Sequence, residues 1–290
     1  MRPAPFDLVA PSTLDDALAA VGDGVDTRPL AGGQSLIAMM NLRLAVPEKL
    51  IDLGRITELS SIDVNDTHIH IGAMATQARV ERHPDVVART PLVAEALGHV
   101  GHWQIRTRGT IGGNLAHADP ASELPAVMLA LDAVYHVRSG SGSRTILASD
   151  FNLGPYSTAL TEDELLVGID VPCLGVGETT AIVEVSRVAG AYALAGAAVW
   201  CRMNDDTCVA SRIAVFATGS RAVRVSAAEG AVRNARLDGR AIKAASSATT
   251  STIPVHADIH ATEAQRQHLL GVVVARALGV AKARASLVAS

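Results

Sequence analysis

The sequence contains few aromatic residues, few cysteines and no block of basic residues. Aromatic side chains make up 3% of the 290 residues, so a core must be built mainly from Ala, Val, Leu and Ile. Cys173, Cys201 and Cys208 form no C-x-x-C pair. They provide neither a disulfide framework nor an iron–sulfur ligand cluster, and they fit a reducing compartment. The formal net charge is −4, and without a basic block we expect no nucleic-acid partner.

Long apolar runs that could enter or cross a membrane are also missing. The opening segment MRPAPFDLVAPSTLDD carries prolines and acids where a signal peptide needs an apolar stretch. The most apolar late segment, LLGVVVARALGVA, is interrupted by Arg276 and is too short to span a bilayer. We therefore expect a cytoplasmic protein with no membrane span.

The length of the chain allows two or three packed units, at about 100–200 residues per domain. Short strands and helices mix irregularly up to about residue 172, whereas a few strands followed by helices close the chain, as is typical of an α+β domain. We predict three parts. They are an N-terminal α/β subdomain over residues 1–56, a central mixed α+β subdomain over residues 57–172 and a C-terminal α+β domain over residues 173–290.

Periodicity and turn residues predict the individual elements. Ser12 or Thr13 can cap the first helix. The segments TRPL, KLIDL and ELLVGIDVP are typical of strands, SIDVNDTHIHIGA predicts a hairpin, and AVYHVRSGSGSRTILASDF predicts a strand, a flexible turn and a strand. AIVEVSRV and SRIAVFATGS resemble strands that flank an alanine-rich stretch. Helical periodicity is found over residues 14–21, 36–40, about 76–97, 124–131, 225–237, 240–249 and 263–283.

The dipeptide Gly-Gly occurs only twice, in AGGQS at residues 31–35 and in TIGGN at residues 110–114. Adjacent glycines lack a Cβ, so backbone N–H groups can converge on an anion. A helix that begins after the first loop would add its own free N–H groups. Neither loop carries the lysine of a P-loop, which suits a diphosphate that is held but does not react. The alternative interpretation is that both pairs are tight turns.

The segments AGGQSLIAMMNLRLAVPEKLIDLGRI and QIRTRGTIGGNLAHADPASELP resemble the two FAD-binding loops of the flavoprotein, or medium, subunit of molybdenum hydroxylases. This family includes carbon monoxide dehydrogenase, xanthine dehydrogenase and related aldehyde or N-heterocycle hydroxylases. The resemblance covers nearly the whole chain and is weakest after about residue 220. It implies an α+β fold with a two-part FAD-binding region of the PCMH type, similar to that of vanillyl-alcohol oxidase, followed by a C-terminal α+β domain.

The resemblance implies that FAD binds without a covalent link and that its pyrophosphate lies between the two glycine loops. The backbone at Val100 and Gly101 would lie along the cofactor. The loop residues that this assigns to the pyrophosphate are Ala31, Gly32, Gly33, Gln34 and Ser35, together with Thr110, Ile111, Gly112, Gly113 and Asn114. Leu36 is a further expected cofactor-binding residue.

Four further side chains receive roles from the resemblance. Glu123 would accept a hydrogen bond from a hydroxyl group of the FAD chain, with Asp119 as the competing candidate. Leu166 would contact the ring system, and Tyr192 would shield the isoalloxazine. From the residues alone, Glu123 is equally compatible with an acid at a helix N-terminus, and Leu166 with a residue of a strand core.

Two positions depart from the family pattern. Many relatives carry a lysine where this chain has Glu184, and a cation there would stabilise the reduced, anionic flavin ring. Its absence is therefore expected to change the potential or the acceptor. The usual QIRNRGT reads QIRTRGT, with Thr107, and we expect little effect from this change. Separately, His68 and His70 would share one strand face, but no third metal ligand is evident, which favours solvent-facing histidines.

The resemblance implies an electron-transfer subunit with FAD and no catalytic residue of its own. A large partner subunit would carry the molybdenum cofactor, and a small partner would relay electrons through [2Fe–2S] clusters. FAD would pass them to an external acceptor, in an assembly expected to be a dimer of heterotrimers. The alternative is a stand-alone flavin-dependent oxidase of a related FAD-binding fold, for which the last hundred or so residues show no evident acid–base set. Intact glycine loops argue against a scaffold with a decayed flavin site.

Overall fold

The computed structural model describes residues 2–288, and its first segment forms a three-stranded parallel sheet. The strands lie in the order β1-β3-β2 and are β1 (Asp7–Val9), β2 (Thr27–Leu30) and β3 (Lys49–Asp52). Helices α1 (Leu14–Val21) and α2 (Leu36–Asn41) follow β1 and β2. Both helices and the strands at TRPL and KLIDL are confirmed. Two short 3-10 helices, Leu53–Arg55 and Thr57–Ser60, lead onward.

The helix α1 begins where its capping residue predicts. Thr13 has extended backbone, and its hydroxyl oxygen accepts a hydrogen bond from the backbone N–H of Asp16 at 3.2 Å. Leu14, Leu18 and Val21 are buried along one face of the helix, which is the spacing of an amphipathic helix. Of the two caps that the sequence offers, Thr13 is the one used.

The central sheet has five antiparallel strands in the order β4-β5-β10-β6-β7. Its members are β4 (Ile62–Val64), β5 (His68–Gly72), β6 (Val134–Ser139), β7 (Gly142–Leu147) and β10 (Leu165–Pro172). The predicted hairpins β4–β5 and β6–β7 are confirmed. A separate two-stranded sheet pairs β8 (Asn152–Gly154) with β9 (Ser157–Thr158).

Prolines divide the helical stretch predicted over about 76–97. It consists of three helices, because Pro84 and Pro91 each begin a new one, and proline lacks the N–H that a continuing helix needs. The helices of the central region are α3 (Gln77–Glu81), α4 (Pro84–Arg89), α5 (Pro91–His99), α6 (Trp103–Arg106), α7 (Ile111–His117), α8 (Glu123–Leu131) and α9 (Ala148–Phe151).

The alanine-rich stretch near residue 200 is itself the longest strand of the C-terminal sheet. The path β11-β12-β13-β14 comprises β11 (Glu178–Ser186), β12 (Ala193–Asn204), β13 (Thr207–Phe216) and β14 (Val223–Arg224), and β15 (Ala235–Arg236) also pairs with β13. Small side chains fit a central strand because helices pack on both faces. The sequence pattern locates this stretch between two strands but predicts no secondary structure for it.

Three helices follow, and one is shorter than predicted. The helix predicted over 225–237 ends at Val232, and its last residues form β15 instead. The three are α10 (Ser226–Val232), α11 (Gly239–Thr252) and α12 (Glu263–Val288). No helix within residues 2–288 is long and apolar enough to cross a membrane.

The C-terminal sheet contributes to two cores. Ala198, Trp200 and Phe216 are buried in a cluster with α5, α8 and the central sheet. Alternate residues of β12, such as Ala197 and Val199, are buried against α10, α11 and α12. The C-terminal part of the chain is therefore packed directly onto the central part. The division at residues 56 and 172 stays a prediction.

Candidate functional site

The two glycine loops are in direct contact. A β-carbon placed on Gly32 would lie 2.7 Å from the carbonyl carbon of Arg108 and 2.8 Å from the Cα of Gly109. A β-carbon on Gly113 would lie 3.1 Å from the Cβ of Ala31. Only glycine allows the first approach, because backbone atoms occupy the space of a side chain. The structure thus joins the segments AGGQS and TIGGN.

The first loop presents backbone N–H groups that face no protein acceptor. The carbonyl groups of Gly33 and Ser35 accept bonds from Ile37 and Met39 at 3.2 and 3.0 Å. Within residues 2–288, no acceptor is found for the N–H groups of Gly33, Gln34 and Ser35. Gly33 has φ of 74°, a conformation that favours glycine. Such unsatisfied donors in a row fit an anion.

In the second loop, the backbone N–H groups of residues 111–113 donate to acceptors within the protein. The N–H of Ile111 donates to the carbonyl of Ala75 at 3.0 Å, and that of Gly112 donates to Ala73 at 2.8 Å. The N–H of Gly113 donates to the hydroxyl oxygen of Thr110 at 3.0 Å. The idea that N–H groups of both loops converge on an anion is therefore wrong for residues 111–113. Their assignment to the cofactor site stays a prediction.

Two side chains of the second loop, those of Thr110 and Asn114, accept hydrogen bonds within the protein and keep donor hydrogens of their own. Ser122 donates its hydroxyl to the Oδ1 of Asn114 at 2.7 Å, which leaves the amide NH₂ of Asn114 free to donate. The hydroxyl of Thr110 accepts from Gly113 and keeps its own hydrogen available. The sequence did not single out Ser122, although it stands directly before Glu123 in the segment ASELP.

The segment at Val100 and Gly101 is fixed by an arginine. Arg106 donates from Nη1 to the carbonyl oxygens of Val100 and Gly101 at 3.1 and 3.0 Å. It also pairs with Glu81, at 2.9 Å between Nε and Oε2. Gly101 has φ of 51°. Arg106 lies in the quoted segment QIRTRGT, but its role in holding this backbone follows only from the structure.

The tyrosine loop of the C-terminal part lies against the same segment. A β-carbon on Gly190 would lie 2.6 Å from the Cε1 of His102, and Gly190 has φ of 77°. Tyr192 follows on this loop, and the residue is 66% exposed. The structure therefore brings the third part of the chain to residues 100–102, and the Tyr192 hydroxyl lies near Asp119. Partial burial and this carboxylate raise the pKa of Tyr192.

Two carboxylates stand at the start of α8. Glu123 is the first residue of the helix and is only 6% exposed. Burial raises the pKa of Glu123 to about 7. Asp119 is held by a hydrogen bond from the N–H of Ala121 to its Oδ1 at 2.9 Å. The position of Glu123 agrees with a helix N-terminal acid and also leaves a buried carboxyl group beside the second loop.

Glu184 lies in a buried position next to His99. The two side chains approach to 3.4 Å between His99 Nδ1 and Glu184 Oε1, and the Glu184 side chain is 6% exposed. Its Oε2 is buried without a hydrogen-bond partner. The hydrogen bond that His99 donates to the Glu184 carboxylate raises the pKa of His99. An acid–imidazole pair therefore stands at the position for which the resemblance implies a lysine.

Leu166 belongs to the central core. Its side chain is buried in the cluster with Ile69, Ile71 and Ile169. These surroundings agree with the interpretation of Leu166 as a core residue of its strand. The carbonyl of its neighbour Val167 accepts a hydrogen bond from the N–H of Ala73, and the carbonyl of Ala73 accepts one from Gly112 in the second loop.

Comparisons with known proteins account for almost the whole chain. Residues 4–174 match the family described as FAD binding domain in molybdopterin dehydrogenase. Residues 181–281 match the CO dehydrogenase flavoprotein C-terminal domain. These two matches confirm the resemblance, the α+β fold prediction and the presence of an FAD-binding domain.

Two relatives match this chain over nearly its whole length. The chain is 36% identical to the carbon monoxide dehydrogenase medium chain of Hydrogenophaga pseudoflava, over 98% of this chain and 99% of the relative. It is also 36% identical to the 6-hydroxypseudooxynicotine dehydrogenase complex subunit alpha of Paenarthrobacter nicotinovorans, over 98% and 97%.

Two solved structures have nearly the same fold. Carbon monoxide dehydrogenase from Hydrogenophaga pseudoflava that lacks the Mo-pyranopterin moiety gives a TM-score of 0.96 at 38% identity, over 98% of this chain and 99% of that one. Quinoline 2-oxidoreductase from Pseudomonas putida 86 gives a TM-score of 0.95 at 33% identity, also over 98% and 99%.

Proposed function

Because this chain belongs to the family of FAD-binding medium subunits of molybdenum hydroxylases, we propose that it binds FAD without a covalent link and transfers electrons within a multi-subunit oxidoreductase. The observation that carries the proposal is the contact of Gly32 with the backbone at Arg108. This contact brings a row of free N–H groups beside a second loop with side-chain donors, and the arrangement fits a diphosphate.

The residues available to the diphosphate are uncharged. On one side are the N–H groups of Gly33, Gln34 and Ser35, and on the other are the hydroxyl of Thr110 and the amide of Asn114. Neutral donors hold an anion by hydrogen bonds, which are stronger when the acceptor is charged. A lysine is therefore not required, because the phosphates are bound and do not react.

When bound, FAD supplies a ring that takes up and releases electrons. The chain then has four tasks: to hold the diphosphate, to fix the backbone at Val100 and Gly101 through Arg106, to place Glu123 near the hydroxyl groups of the FAD chain, and to cover the ring with Tyr192. The exposure of Tyr192 supports a side chain that moves aside for an electron acceptor. No residue of this chain needs to touch the organic substrate.

The partners are part of the same proposal. A large subunit with a molybdenum cofactor would oxidise the substrate, and a small subunit with [2Fe–2S] clusters would deliver electrons to FAD, which passes them to an external acceptor. The medium-chain names of relatives and the matches to carbon monoxide dehydrogenase support this arrangement. A dimer of heterotrimers and a cytoplasmic location complete it; free Cys173, Cys201 and Cys208 support a reducing compartment.

Co-purification tests the subunit assignment. A tag on this chain, expressed with its neighbouring reading frames, should recover two further chains that contain molybdenum and iron. The stand-alone oxidase makes the opposite prediction: the chain alone, loaded with FAD, would oxidise an organic substrate with oxygen. Such turnover without partners would refute the subunit assignment, while FAD binding itself would stand.

A further inference from the structure

A second cluster of polar side chains lies on the outer face of the central sheet, away from the glycine loops. His70, His136 and Asp170 stand on the neighbouring strands β5, β6 and β10. Along these strands they alternate with buried residues of the central core, such as Ile71 and Tyr135. Because strand side chains alternate between faces, the three polar groups all lie on the face opposite that core.

The strand register aligns the three groups. Asp170 is directly opposite His70, and His136 is opposite Gly168, two residues along the same strand. A β-carbon on Gly168 would lie 2.6 Å from the Nε2 of His70. Because Gly168 has no side chain, the ring of His70 occupies the space above it. This places the ring beside that of His136, with 5.3 Å between the two ring centroids.

The donor atoms lie close together around one carboxylate. The Nδ1 of His70 is 2.7 Å from the Oδ1 of Asp170, and the Nε2 of His136 is 2.8 Å from its Oδ2. One ligand atom from each of the three residues lies within 4.8 Å of the other two. Ligands at about 2.0–2.1 Å from a tetrahedral zinc ion are about 3.3 Å from one another, so small side-chain rotations bring this set to a single ion.

We propose that His70, His136 and Asp170 form a binding site for a divalent cation of the zinc type, with solvent in the remaining coordination position. Two imidazole nitrogens and one carboxylate oxygen are ligands that such cations prefer. The side chains are about one-third exposed for both histidines and 23% exposed for Asp170, so the site is open to entering ions. Asp63, opposite His70 on β4, adds a further negative charge on this side of the sheet.

His68 stays outside the proposed ligand set. Its Nε2 is 3.6 Å from the Oδ2 of Asp170. Its two ring nitrogens are already engaged, Nε2 with the amide of Asn65 at 2.8 Å and Nδ1 with the hydroxyl of Thr67 at 3.1 Å. The sequence pointed to His68 and His70 as a pair without a third ligand. The structure instead pairs His70 with residues that are distant in the sequence.

Zinc uptake by the FAD-containing chain tests this site. Chelator-treated protein is dialysed against Zn²⁺ at a series of concentrations, and bound metal is measured by elemental analysis beside the thermal midpoint. The wild-type chain should bind about one Zn²⁺ and melt at a higher temperature with Zn²⁺. His136→Ala and the isosteric Asp170→Asn should each weaken binding at least tenfold. His268→Ala, which removes an exposed histidine on α12, should leave it unchanged.

The controls distinguish zinc binding by His70, His136 and Asp170 from nonspecific binding to the protein surface. Flavin content and far-ultraviolet circular dichroism show that each variant is folded, since the cluster faces away from the central core. Equal zinc binding by wild type, Asp170→Asn and His268→Ala would overturn the proposal. So would a wild-type chain that binds no Zn²⁺ at millimolar concentration, because the carboxylate would then only receive hydrogen bonds from the two histidines.

Discussion

Gly32 lies against the backbone of Arg108, at a distance that leaves no room for a side chain: a β-carbon on Gly32 would be 2.7 Å from the carbonyl carbon of Arg108. This contact joins the loop that follows strand β2 to the loop between helices α6 and α7. It places the free N–H groups of residues 33–35 beside the donors of Thr110 and Asn114. The proposed diphosphate site therefore depends on one close backbone approach.

Replacing Gly32 by alanine should separate the loops. The added methyl group would push the first loop away from Arg108 and Gly109, so we expect loss of most bound FAD and a destabilisation of about 1–3 kcal/mol, as for other overpacked sites. Flavin content per chain and urea unfolding measure the two effects. Gly230→Ala is the matched control, because a β-carbon there meets nothing within 4 Å. Full flavin content in Gly32→Ala would contradict the importance of the contact.

The orientation of the Asn114 amide should depend on Ser122. Ser122→Ala removes the hydroxyl that donates to Asn114 Oδ1, so the amide can turn its oxygen toward the anion. We expect FAD affinity to fall by up to about tenfold, the size of one hydrogen bond. Asn114→Asp, which replaces the NH₂ donor by a negative charge, should reduce affinity further. Fluorescence titration of the FAD-free chain measures both, and unchanged affinity in both variants would remove Asn114 from the site.

Local sequence signals predicted those parts of the fold that short segments determine. Thr13 marks the start of a helix because its hydroxyl caps a nearby N–H, and alternation in residues 62–72 gives a hairpin. The long strand over 193–204 was not assigned, because its alanines have little strand preference of their own. This strand lies between two layers of helices, where small side chains such as alanine fit. In this case tertiary packing, and not local propensity, decides the secondary structure.

The two glycine loops could be identified from the sequence, but their hydrogen bonds could not. Two glycine pairs identified the loops, and the resemblance placed them at one cofactor. The sequence does not show that the N–H groups of Ile111 and Gly112 donate to the carbonyl groups of Ala75 and Ala73. These bonds depend on the tertiary fold, which brings residues 111–112 back beside residues 73–75. It also does not show His136 and Asp170 beside His70, because strand order brings them together.

Glu123 should make the stability of the FAD-free chain depend on pH. Burial raises its pKa to about 7, whereas an unfolded glutamate titrates near 4.3. Between these values the folded chain holds a proton that the unfolded chain has lost, so stability falls as the pH rises through this window. The change is on the order of 3 kcal/mol. The pKa of His99 is also raised. Its titration therefore also lowers the stability as the pH rises above the pKa of histidine in the unfolded chain.

Glu123→Gln should flatten this dependence, because a neutral amide has no proton to lose. The variant should be more stable than wild type at pH 8 and similar at pH 5, as measured by urea unfolding of the FAD-free chain at both values. Glu58→Gln, which changes an exposed acid, is the control and should follow the wild-type curve. An equally steep loss of stability in Glu123→Gln would show that another group is responsible.

Glu184 should lower the reduction potential of the bound flavin. A negative charge opposes the formation of a reduced, anionic ring, whereas the lysine of the family pattern favours it. We expect Glu184→Lys to raise the midpoint potential and Glu184→Gln to raise it less. Spectroelectrochemical titration of the FAD-containing variants measures this order. Identical potentials in the three proteins would mean that residue 184 does not act on the ring.

The flavin content of the purified chain shows whether this chain binds FAD. The visible spectrum is recorded before and after acid precipitation, and the supernatant is analysed for FAD. The purified chain should be yellow and should release about one FAD per chain into the supernatant, as expected for a non-covalent cofactor. A folded but colourless chain that takes up no FAD on reconstitution would contradict FAD binding.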